Sequence, residues 1–144
     1  MIAITSDHGG FSLRKEIIRY FEDNNIEYKD YGCPDESSCD YPDYAIPACN
    51  AVVSGEAEKA ILVCGTGIGM SIAANKIKGI RAAVCGDYFS AKYTRLHNDA
   101  NVLCLGERTV GAGLALELVD VFLNTGFEGG KHQRRIDKIS ELER

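Results

Sequence analysis

The chain has 144 residues, 45% of them hydrophobic, which suits one domain with a substantial core. A formal net charge of -5 and a sequence pI near 5.2 exclude nucleic acid as the main partner, because binding a phosphate backbone needs a concentrated basic face. No signal peptide, membrane-length apolar span or lipidation motif is present, and the 6 cysteines include no C-x-x-C pair, so the chain reads as a reduced, cytoplasmic protein without a membrane partner.

Residues 1–6 form a short apolar strand, broken by the turn Asp7-His8-Gly9-Gly10. Over 12–24, Leu13, Ile17, Ile18, Tyr20 and Phe21 recur at helical spacing, with Arg14, Lys15, Glu22 and Asp23 on the solvent side. A second strand at 26–31 leads into a polar loop, 32–40, where Cys33 and Cys39 read as incidental thiols. Tyr41-Pro42-Asp43-Tyr44 opens a helix running to 54, with Pro47 tolerable only near its start.

The unbroken apolar run 60–64 predicts a central strand buried on both faces. Gly65, Gly67 and Gly69 follow at every second position, and 71–75 begins a helix, so backbone N–H groups should gather at an anion site with Cys64 at its edge. The loop is neither a dinucleotide fingerprint, since Met70 stands where a third glycine belongs, nor a P-loop, since no Gly-Lys-Ser/Thr closes it. A fourth strand is predicted at 80–85 and a helix at 88–96, ended by His97-Asn98-Asp99. A fifth strand covers 100–105, and a turn through Arg108 enters a long helix at 110–124. Residues 127–135 form a loop holding most of the local positive charge, before a last helix at 136–142.

Strand and helix alternate five times, which predicts a single-domain, doubly wound, Rossmann-like five-stranded parallel sheet with helices on both faces. Ligands of such sheets bind beyond the carboxyl ends of the strands, where Asp7, His8, the 64–69 loop, Asp87 and Arg108 all fall. A glycine-lined oxyanion hole beside a thiol, with Lys131, His132, Arg134 and Arg135 suited to a phosphate, fits proton abstraction next to the carbonyl of a sugar phosphate. That chemistry needs no cofactor.

Six segments, Ser6 to Gly10, Asp40 to Asp43, Cys64 to Gly69, Ser71 to Lys76, His97 to Asn101 and Gly129 to His132, make the chain resemble the type B ribose-5-phosphate isomerases, a family shared with bacterial galactose-6-phosphate isomerase. The resemblance implies that Cys64 moves a proton between C1 and C2, with Thr66 beside it and the amides of Gly65, Gly67, Ile68 and Gly69 around the enediolate. It implies further that His97 opens the furanose ring, that Asn98 and Asp7 contact sugar hydroxyls, that Tyr41 lines the pocket, and that His8, Arg108, His132 and Arg135 hold the phosphate. Lys131 stands where the family usually has arginine, keeping the charge but losing the bidentate fork. Isomerisation of an allose- or galactose-type hexose 6-phosphate, and a non-catalytic sugar-phosphate sensor, are the alternative readings.

No metal site is expected, because no two of His8, His97 and His132 have helical or ribbon ligand spacing. His97 follows a helix and precedes the fifth strand, so it belongs at the amino edge of the sheet, opposite Cys64. The expected assembly is therefore a homodimer or homotetramer whose active site is shared between subunits, with the segment 126–144 packed on the partner.

Overall fold

The computed structural model describes residues 1–143; Arg144, the last residue of the segment expected to pack on a partner, lies outside them. Five strands, β1 (Ile2–Ser6), β2 (Tyr28–Asp30), β3 (Lys59–Cys64), β4 (Ala82–Val84) and β5 (Val102–Gly106), form one parallel sheet in the order β2-β1-β3-β5-β4. The order reverses at the neighbouring pair β1 and β3, which is the switch point where an open sheet leaves a crevice beyond its strand ends.

Alternation along the strands divides the core in two. Ile2, Ile4, Ile61, Val63, Leu103 and Leu105 face one side, and Ala3, Ala60, Leu62, Cys64, Val102 and Cys104 the other. The bulkier side packs against α1 (Phe11–Asp23) and α5 (Ala112–Asn124), and α4 (Tyr88–Asn98) lies against α5. The smaller side lets α2 (Tyr41–Val53) approach closely through Ala45, Ala48 and Cys49, alongside the short α3 (Ile68–Ala74).

Several element limits differ from the sequence reading. The edge strands β2 and β4 have three residues each, because only that much backbone finds a partner on the one neighbouring strand. Pro47 sits well inside α2 rather than near its start, leaving the carbonyl of Asp43 without its helical donor. Helix α3 begins at Ile68 rather than at residue 71, because Gly67 takes a left-handed conformation (φ 79°) as its N-cap. The final helix, α6 (Lys131–Ser140), absorbs the basic stretch that composition suggested was a loop. Lys, Gln and Arg are good helix formers, and the run needs only Ile136 buried to dock.

Arg14 is buried, not solvent-facing as the α1 pattern suggested. Its guanidinium donates to Ser6 Oγ (2.6 Å) and the Cys33 carbonyl (2.6 Å), and pairs with Asp30 at 3.4 Å. Cys33 is thereby part of the β1–β2 edge rather than an incidental loop thiol. No helix among the described residues is long and apolar enough to cross a membrane.

Candidate active site

Strand β3 ends at Cys64, in register with Gly106 of β5. Its Sγ, almost fully buried, accepts the N–H of Gly67 at 3.1 Å. The loop is tied to the one after β5, since the Glu107 N–H donates to the Cys64 carbonyl (2.9 Å) and the Arg108 N–H to the Gly65 carbonyl (3.0 Å). The Arg108 side chain consequently lies along Gly65, its atoms 3.6 to 3.7 Å from where a Cβ would stand. On the opposite flank, the Tyr41 ring at the start of α2 lies 2.8 to 2.9 Å from the Cβ position of Gly69, so only glycine lets the ring reach the loop.

Not every loop amide faces outward. Gly67 directs its N–H at the sulfur, and the Ile68 N–H donates to Thr66 Oγ1 at 3.2 Å. That leaves the Thr66 hydroxyl hydrogen free to donate. The N–H groups of Gly69 and Met70 open the first turn of α3, where the helix supplies no acceptor.

After β1, Asp7 Oδ1 accepts the N–H groups of Gly9 (2.9 Å) and Gly10 (3.2 Å), shaping the 3-10 turn His8–Gly10. One of its carboxylate oxygens is thus committed to the backbone. His8 Nδ1 accepts the Cys39 N–H at 3.2 Å, which places the proton of the neutral ring on Nε2. Burial pushes the thiol of Cys49 up to about 12, that of Cys85 up to about 11 and that of Cys104 well above its ordinary value, so these remain protonated packing groups.

The other candidate residues gather at the opposite edge of the sheet. His97 and Asn98 occupy the last turn of α4, which runs on through them instead of stopping at residue 96. Asp99 then closes the helix in a left-handed conformation, its carboxylate held by Arg95 (2.8 Å) and Arg81 (3.4 Å). The His97 ring stacks on that of His132 (centroids 4.1 Å apart, planes 12° apart), and Tyr93 meets His97 edge-on at 5.1 Å. Glu128 Oε2 stands 3.4 Å from His132 Nε2 and 3.8 Å from His97 Nε2. Lys131, Arg134 and Arg135 are exposed on the first turns of α6.

One chain therefore carries two groups: Asp7, His8, Tyr41, the 64–69 loop and Arg108 at the carboxyl edge, and His97, Asn98, Lys131, His132 and Arg135 at the amino edge. The five residues of β5 between them rise about 16 Å at ~3.3 Å each. The expected phosphate set is divided, with His8 and Arg108 on one side and His132 and Arg135 on the other. Spacing gave no sign that His97 and His132 would meet, because they come from separate helices joined only in the fold. Glu128 escaped the sequence reading for the same reason.

Fold and site together define a doubly wound α/β protein with a thiol and a glycine loop at its switch point. The family model described as Ribose/Galactose Isomerase matches residues 2–139. Ribose-5-phosphate isomerase B of Escherichia coli is 46% identical over 142 residues, covering 99% of this chain and 95% of that one. Among solved structures, ribose-5-phosphate isomerase B of Clostridium thermocellum superposes with a TM-score of 0.97 at 50% identity, over 98% of this chain and 95% of its own. The Mycoplasma genitalium enzyme of that name, with ribulose-5-phosphate bound, gives 0.93 at 42% identity over 97% and 93% of the two chains. The chain belongs to the ribose/galactose isomerase family.

Proposed function

We propose that this protein interconverts ribose 5-phosphate and ribulose 5-phosphate, in the cytoplasm and without a cofactor, through a cis-enediolate. The observation that carries the reading is the Cys64 Sγ at the switch point, accepting the Gly67 N–H at 3.1 Å beside the N-terminal turn of α3. A relative that superposes over nearly its full length holds ribulose-5-phosphate, the product that this reaction would give.

In this account the partner subunit's His97 opens the furanose by moving a proton from the anomeric hydroxyl towards the ring oxygen. The Cys64 thiolate then takes the C2 proton, and charge moves onto the carbonyl oxygen to form the enediolate. Gly69 and Met70 N–H groups and the Thr66 hydroxyl face that developing charge, which is where fixed donors lower a barrier most. Within the enediolate the C2 hydroxyl proton passes to the C1 oxygen, moving the charge onto the C2 oxygen, and the thiol returns its proton to C1, giving the ketose with no net gain or loss of protons or electrons. His8 and Arg108 bind the phosphate from one subunit, completed by Lys131, His132 and Arg135 of the other, while Asp7 and Asn98 contact hydroxyls and Tyr41 walls the pocket.

The site is shared because the two groups stand about 16 Å apart along β5, beyond the reach of any side chain. The protein would be a dimer or a larger even assembly, with the segment 126–143 packed against the partner's carboxyl edge. A coupled assay across pentose and hexose phosphates tests the reading. Turnover should be highest with ribose 5-phosphate; turnover only with a 6-phosphohexose would move the protein to the hexose branch of the family.

A further inference from the structure

His97 and His132 do more than stack: both Nε2 atoms address the same carboxylate oxygen, Glu128 Oε2. One ligand atom from each of the three residues lies within 4.8 Å of the others. Two imidazoles and a carboxylate are a donor set that zinc takes in open, three-ligand sites. Ligands ~2.0–2.1 Å from one ion at a tetrahedral angle lie about 3.3–3.4 Å apart. The His132–Glu128 separation of 3.4 Å already meets that value, and the His97–Glu128 separation of 3.8 Å needs a shift of about half an ångström. The rings, now 12° from parallel, must fan apart by tens of degrees for both Nε2 lone pairs to converge on one ion, and the more exposed His97 ring is the one free to turn.

The three ligands come from segments whose backbones are fixed to one another. The Glu128 N–H donates to the Leu96 carbonyl (3.0 Å), directly before His97, and the His132 N–H donates to the Gly129 carbonyl (3.2 Å). Arg95 joins the same parts again, donating to the Thr125 carbonyl at 3.1 Å. In the single chain the His97 and Glu128 side chains are 40% and 49% exposed, and in the shared site proposed above His97 borders the substrate cleft, which is the route open to an ion.

We propose that His97, Glu128 and His132 form a zinc-binding site, and that zinc bound there removes His97 from the isomerase reaction. The ion would take the Nε2 lone pair that ring opening needs, leaving its fourth position to water. The inhibitory half rests on the ring-opening role of His97 proposed above; the binding half does not.

Calorimetric titration of the intact, chelator-free protein with Zn²⁺ should give one ion per chain. Glu128→Gln, close in shape, should weaken binding at least tenfold, whereas Cys64→Ala should leave it intact. Wild-type turnover should fall in step with occupancy and return on adding EDTA. Glu128→Gln should keep its own zinc-free rate at concentrations that silence the wild type. Absence of stoichiometric binding, or binding lost with Cys64→Ala and kept with Glu128→Gln, overturns the site. Binding that depends on Glu128 but leaves turnover untouched overturns the inhibition. The zinc-free rate reports on the proposed isomerase separately.

Discussion

Gly67→Ala should damage stability and catalysis together. Gly67 has φ 79°, a conformation that costs a residue with a Cβ roughly 1–2 kcal/mol. The new methyl would stand 2.9 Å from the Leu105 carbonyl carbon and 3.1 Å from its nitrogen, backbone atoms of a central strand that no rotamer change can move. Overpacking of that kind costs about 1–3 kcal/mol more, so the expected loss is about 2–5 kcal/mol. At ~2–4 °C per kcal/mol for a chain of this size, the melting temperature should fall by at least about 4 °C. Any backbone shift that relieves the clash moves the N–H bonded to Cys64 Sγ, so turnover should drop in whatever fraction remains folded. Urea unfolding followed by circular dichroism gives the first quantity and the coupled isomerase assay the second. Gly113→Ala, in α5 with nothing within 4 Å of its Cβ position, is the control and should be neutral or slightly stabilising. A Gly67→Ala protein within about 0.5 kcal/mol of wild type would refute the argument, since ordinary surface substitutions fall in that range.

Cys64→Ala should reduce kcat by about 10²–10⁴-fold with KM and inhibition by inorganic phosphate little changed, the pattern of a lost base; steady-state kinetics with unchanged kcat would end the assignment. Arg135→Ala should weaken substrate binding and phosphate inhibition together, and Lys131→Arg should keep or tighten both; a fall in turnover alone would exclude this helix from the phosphate site. Arg14→Met should cost about 3–5 kcal/mol in urea unfolding by stranding Asp30 and the acceptors at Ser6 and Cys33, and a neutral result would show the buried guanidinium to be dispensable. The thiols of Cys49 and Cys85 are raised by burial to about 12 and about 11, so the folded protein holds protons that the unfolded chain releases above its ordinary thiol value of about 8.5. Their contribution to stability is complete below about pH 8.5 and is lost as pH rises towards 11–12. Urea midpoints across that range should decline, less steeply for Cys49→Ala; identical slopes would contradict the assignment.

The sheet and the carboxyl-edge half of the site were legible because local signals coincided. The apolar run ending at Cys64 marked the central strand, and the glycines after it marked the binding loop, though not the Tyr41 ring and Arg108 side chain that close on it. Even the placement of His97 at the amino edge followed from chain order alone. What stayed hidden depends on contacts distant in sequence. Arg14 fits a solvent-facing helical position until the Ser6 and Cys33 acceptors appear beside it. Composition alone marked Lys131 to Arg135 as a loop, since a helix with one buried anchor, Ile136, has almost no apolar stripe to read. The meeting of His97, Glu128 and His132 has no periodicity behind it, because the α4 end and the α6 start are joined by tertiary bonds through Leu96 and Thr125.

The shared site is tested most directly by mixing two inactive proteins. Cys64→Ala and His97→Ala subunits, exchanged and verified as heterodimers by mass, carry one site with both native residues and one with neither. The account predicts that activity returns in the heterodimer, at about half the wild-type rate per dimer if the two sites turn over independently. Heterodimers as inactive as either parent, or a fully active monomer, would contradict it.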